Sequence, residues 1–157
     1  DYFGQTALHI AIVKENIDTV ETILSELLNN SRTMLNRVLH QSATGFKFAN
    51  TVMMGELPLS VAALTFNHDM VSTLLQNGAE IDRKNTKGDT VFHTLIRFAA
   101  IYPQLLPSVL QMFQFLHEKI IEMMDTSKNH EDFYITEYDH SDQSYIYFIP
   151  NNEDLNP

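Results

Sequence analysis

The chain has 157 residues, 44% of them apolar, with no cysteine and a formal net charge of −10. That is enough for one domain with one continuous core, and it excludes disulfides and thiolate metal sites. So acidic a chain argues against nucleic acid or anionic membrane surfaces as partners, and no apolar run approaches the roughly 18–20 residues of a spanning helix.

The start, Asp1-Tyr-Phe-Gly4, has neither the basic residues nor the apolar stretch of a signal peptide. It begins without methionine and inside a motif, so the chain is expected to be a piece of a longer protein. Thr6 is placed to cap a helix opening at Ala7. Val20, Ile23, Leu24, Leu27 and Leu28 then mark one face of a second helix. Residues 29–54 form an insertion that sets Phe46, Phe48, Met53 and Met54 on an otherwise polar loop. A loop of that length is uncommon unless it is used.

Gly55-Glu-Leu-Pro-Leu-Ser-Val-Ala-Ala63 restarts the pattern. Pro58 suits the first helical position, but Leu57 stands where a capping side chain belongs. Val71, Leu74 and Leu75 repeat the second-helix face, which Asn77-Gly78 ends. A third start follows at Gly88-Asp-Thr-Val-Phe-His-Thr-Leu95, capped by Thr90. Leu105, Val109, Met112, Phe113, Leu116 and Ile120 continue it in a longer helix, after a break bounded by Pro103 and Pro107. His9 and His93 share one place, three residues after the cap, with Ser60 between them. Each imidazole is expected to bond turn backbone or the capping hydroxyl.

Residues 118–157 hold ten Asp/Glu against two lysines, Lys119 and Lys128. No helical period is visible from Asn129, and Ser144–Ile149 reads as a short strand stopped by Pro150. His130, Glu131, Asp132, Asp139, His140 and Asp142 lack the spacing of a calcium loop or a zinc helix, and read as a solvated acidic stretch. No metal site, no cofactor and no catalytic constellation is expected.

Gly55 and Gly88 lie 33 positions apart, the period of ankyrin repeats. Gly4 and Gly55 lie 51 apart, one period plus an insertion of 18. The expected fold is therefore all-α: an ankyrin-repeat solenoid of about three helix–turn–helix repeats with long finger loops, and an irregular C-terminal tail carrying the short strand. The repeats occupy 1–125, in units near 1–36, 52–84 and 85–125 with the finger-loop insertion at 29–54, and an acidic tail or insertion occupies 126–157. Thr6, His9, Pro58, Thr90 and His93 are the residues of the repeat motif. Such repeats bind and scaffold; this is not expected to be an enzyme.

Four segments together resemble one family: Gly4-Gln-Thr-Ala-Leu-His-Ile-Ala-Ile12, Met54–Ala63, Leu74-Leu-Gln-Asn-Gly78 and Gly88–His93. They are similar to consecutive motifs of the cytosolic ankyrin domain of vanilloid-type transient receptor potential (TRPV) cation channels. Gly-Glu-Leu-Pro-Leu-Ser is the specific block, since a generic repeat reads Gly-x-Thr-Pro-Leu-His there. The resemblance covers about residues 1–100, as the third to fifth of six repeats, and fades beyond Tyr102.

It implies a parent that is a tetrameric, calcium-permeable cation channel with its pore outside this segment. This segment would lie at the cytoplasmic face of the plasma membrane, serving assembly and regulation, with other subunits of a homo- or heterotetramer as partners. In the family the finger loop packs on a neighbouring subunit, which places Phe46, Lys47, Phe48 and Met53 at an interface. Some members take ATP or calmodulin on the concave face, where Phe3, Gln5 and Lys14 would stand. Val13 replaces an acidic residue there and Phe3 a tyrosine, and the basic residues that would meet phosphates belong to an earlier repeat. The alternative, of another class, is a free-standing soluble ankyrin adaptor that binds a protein partner through the same loops.

Overall fold

The computed structural model describes residues 2–45 and 48–131, with the backbone alone at 2–6 and 128–131. These residues form α1 (Tyr2–Val13), α2 (Ile17–Asn30), α3 (Arg32–Leu39), α4 (Pro58–Leu64), α5 (His68–Gln76), α6 (Val91–Ile101) and α7 (Leu106–Glu131). A 3-10 turn, Pro103–Leu105, separates the last two. There is no strand among the described residues. Helices α1 and α2, α4 and α5, and α6 and α7 pair as three hairpins, and the inner helices α1, α4 and α6 stack in that order. The fold is the all-α repeat solenoid.

The first two hairpins turn in the same way, in the same register. Glu15 and Phe66, 51 positions apart, both adopt left-handed backbone, with φ of 53° and 57°. The next residue in each, Asn16 and Asn67, caps the outer helix: its Oδ1 accepts the N–H three residues on, from Thr19 and Met70, at 3.0 Å. The third hairpin departs from this. Helix α6 runs on to Ile101, and Pro103 then starts a new turn where its missing N–H is harmless.

Helix α4 is buried on every face. It lies between α1 and α6 and carries α5 on its outer side, so Pro58-Leu-Ser-Val-Ala-Ala-Leu64 needs no polar stripe. Around it the core runs through the whole stack, from Leu8, Ile12 and Leu24 through Met70 and Leu74 to Leu95, Met112 and Leu116. Each such side chain contributes roughly 1.5–3 kcal/mol on burial. One hairpin alone could bury only one flank of this set, which is why the repeats fold together.

Three local expectations change. Thr6 does not cap a helix at Ala7; it lies inside α1, which starts at Tyr2. The insertion is not all loop: Ser31 caps α3, its Oγ accepting the Met34 N–H at 3.3 Å, and Leu35, Val38 and Leu39 bury one face. The loop beyond closes on itself, with Ala43 N–H donating to the Glu56 carbonyl at 2.7 Å and Gly55 N–H to the Ala43 carbonyl at 2.9 Å. Lastly, α7 continues through Glu131, past Asn129. The strand expected at Ser144–Ile149 lies outside the described residues.

Candidate partner surface and the Glu56 tie

Glu56 lies in the specific block, and its side chain is only 1% exposed. It follows Gly55, whose φ of 85° sends the chain sharply into α4 and directs Glu56 inward. Its Oε2 accepts from Asn85 Nδ2 at 3.0 Å and from the Thr94 hydroxyl at 2.8 Å. Oε1 is buried with no hydrogen bond among the described residues; Arg97 Nη2 stands 4.0 Å away while pairing with Asp89. A half-satisfied buried carboxylate depends on every donor it has.

Asn85 transmits this hold to the third repeat. Its Oδ1 accepts the N–H groups of Lys87 (2.8 Å) and Asp89 (3.0 Å), and its own N–H donates to the Asp89 carbonyl at 2.9 Å. The turn that opens α6 is therefore built around one side chain anchored in the repeat before. On the other flank, the Glu56 carbonyl accepts from His9 Nε2 of α1 at 3.3 Å.

His9 is 1% exposed and meets the edge of Phe48, ring centroids 5.7 Å apart. His93 is exposed and acts within its own helix start. The Thr90 N–H donates to His93 Nδ1 at 3.3 Å, and the Thr90 hydroxyl lies 2.9 Å from the same nitrogen. This is the reach-back arm of a capping box, with imidazole where Glu or Gln is usual. Pro58 sits buried at the first position of α4, and Leu57 offers no capping bond.

The expected interface residues separate. Phe48 is only 4% exposed and is a core ring, so it presents nothing to a partner. Met53 is half-buried against the core, whereas Met54 is 39% exposed. Phe46 and Lys47 lie outside the described residues. Met34 of α3 and Leu28 of α2 add further exposed apolar side chains near the insertion. On the expected ligand face, Lys14 is exposed at the end of α1, and the side chains of Phe3, Gln5 and Thr6 lie outside the described set.

Sequence reasoning quoted the Glu56 block for its resemblance but missed its structural role. The signal available was a charged residue inside an otherwise apolar helix start. No group of acidic and His side chains that could hold a metal occurs among the described residues, and none of their helices is long and apolar enough to cross a membrane.

Comparison with known proteins agrees with this geometry. The ankyrin repeat family model matches residues 3–32 and 54–86, which are the first two hairpins and the loop into the third. The chain is 37% identical over 118 residues to transient receptor potential cation channel subfamily V member 1 of Oryctolagus cuniculus, covering 71% of the chain and 13% of that protein. It is 34% identical over 119 residues to subfamily V member 2 of Mus musculus (73% and 15%). It is 31% identical over 129 residues to subfamily V member 4 of Homo sapiens (80% and 14%). The chain thus spans about one seventh of the length of these relatives. No solved structure matches it significantly. Repeat register, the Gly55–Ser60 block and these relatives together make this chain an ankyrin-repeat domain of the TRPV type.

Proposed function

We propose that this domain belongs to a TRPV-like, calcium-permeable cation channel and serves there in subunit assembly and regulation, on the cytoplasmic face of the plasma membrane. The observation that carries the reading is the run of similarity to subfamily V channels across 118 residues, which extends beyond the segments that the ankyrin family model matches. The domain works without catalysis, as a rigid stack that presents its loops to other chains.

The insertion supplies the contact with a neighbouring subunit through Phe46, Lys47, Met53 and Met54, while Phe48 holds the loop to its own repeat. Exposed Met54 supports this reading, since flexible thioethers suit adaptable interfaces. Regulation by ATP or calmodulin would use the concave edge near Phe3, Gln5 and Lys14.

The test is co-purification of two differently tagged copies of the full-length parent from detergent-solubilised cells. Wild-type copies are expected to co-purify, and Met54→Glu combined with Phe46→Ser to weaken that association. Failure of wild-type copies to associate would remove the assembly role and favour the soluble adaptor.

A further inference from the structure

The loop from Asp82 to Gly88, between α5 and α6, concentrates positive charge in an acidic chain. It holds Arg83, Lys84 and Lys87, three of the ten Lys/Arg residues, and all three are exposed. Thr86 lies among them, with Arg83 at −3 and Lys84 at −2. No other Ser or Thr of the sequence has cations at both positions. The turn displays it: Gly88 N–H donates to the Asn85 carbonyl at 3.1 Å, and the Asn85 side chain gathers the Lys87 and Asp89 amides beneath. Thr86 itself is exposed, and its hydroxyl has no hydrogen-bond partner among the described residues.

We propose that Thr86 is a phosphorylation site for a basophilic Ser/Thr protein kinase, whose acidic substrate cleft reads the cations at −3 and −2. In the transfer, Thr86 Oγ1 forms a bond to the γ-phosphorus of Mg·ATP, the bond from that phosphorus to the β–γ bridging oxygen breaks, and ADP leaves. The hydroxyl proton passes to the catalytic aspartate of the kinase.

The product places a charge of about −1.5 to −2 at the loop tip. Lys87 Nζ now donates to the Met54 carbonyl at 3.3 Å, and Thr86 and Lys87 both lie beside Gly55. A phosphate on Thr86 is the stronger acceptor, so it draws Lys87 away and frees the end of the insertion at Met54. The turn itself survives, because Asn85 stays bound to Glu56. The inference goes beyond the channel reading and stands without it, since the purified chain is the substrate.

The experiment treats the purified 157-residue chain with Mg·ATP and the catalytic subunit of cyclic-AMP-dependent protein kinase, followed by mass spectrometry. One phosphate on Thr86 is expected, with Arg83→Ala slowing its incorporation by about tenfold or more. Circular dichroism melting confirms that Arg83→Ala and Thr86→Ala remain folded. No incorporation at Thr86, or a rate indifferent to Arg83→Ala, overturns the proposal. So does faster modification of Thr86 by an acidophilic kinase. Hydrogen exchange at Met53–Gly55 is expected to rise on phosphorylation, and unchanged exchange overturns the release of Lys87.

Discussion

Glu56 Oε2 stands 3.0 Å from Asn85 Nδ2, 29 residues further along the chain, so the start of the second repeat holds the turn that opens the third. The same carboxylate takes the Thr94 hydroxyl, and the Glu56 carbonyl takes His9 of the first repeat. One residue thus bonds to all three repeats. In a solenoid, where each unit otherwise touches only its neighbours, such a residue should raise cooperativity between units.

Glu56→Ala is expected to cost about 2–4 kcal/mol, because it strands the buried Asn85 amide and opens a cavity, while the Thr94 hydroxyl keeps the Thr90 carbonyl at 3.3 Å. Against a total stability of roughly 5–15 kcal/mol that is a large share. Glu56→Gln keeps the shape and one acceptor and is expected to cost less, about 1–2 kcal/mol. Urea unfolding followed by circular dichroism measures both. A loss below about 1 kcal/mol for Glu56→Ala would show that the tie is incidental.

Phe48 and Met54 lie in one loop but belong to different surfaces. Phe48→Ala is expected to destabilise the chain by about 3 kcal/mol or more, as for other buried aromatic rings. Met54→Ser is expected to shift stability by no more than about 0.5 kcal/mol, as an exposed position does. Equal melting temperatures for the two variants would contradict the placement of Phe48 in the core.

The left-handed residue at the end of α1 is an ordinary side chain. Glu15 is exposed, and its positive φ costs an L-residue about 1–2 kcal/mol. Glycine relieves that strain and returns about 0.5–1 kcal/mol of it as chain entropy. Glu15→Gly should therefore raise stability by about 0.5–1 kcal/mol. Phe66 has the same φ but packs edge-on against Phe98, centroids 6.0 Å apart, so Phe66→Gly should destabilise. Opposite signs in thermal melts check the pair.

Much of this architecture was legible because a turn glycine recurs at fixed spacing and the outer helices keep their apolar faces. Gly55 and Gly88, 33 apart, share φ values of 85° and 82°, and the apolar faces of α2, α5 and α7 follow the helical period. Three things were not legible, for physical reasons. Helix α3 has only eight residues, too short for its three buried positions to stand out from loop sequence. Phe48 looks like any exposed loop aromatic until His9, 39 positions away, is brought beneath it. Glu56 owes its role to donors from the third repeat, which no local pattern reveals.

The outer-helix caps offer a test of the repeat register. Asn16→Ala and Asn67→Ala each remove one side-chain bond at an equivalent helix start and should cost about 1 kcal/mol apiece. The two sites share no partner, so the double variant should lose the sum, within about 0.5 kcal/mol. A clear departure from additivity in urea unfolding would mean that the two turns are not independent copies.

The central claim, that this domain belongs to a channel subunit, is tested most directly by fractionating cells that express the natural full-length protein. An antibody to this segment follows the signal through alkaline carbonate extraction. The account predicts a protein much larger than 18.0 kDa that stays in the membrane pellet after extraction. A protein near that mass, released to the supernatant, would contradict the channel reading and leave an ankyrin adaptor.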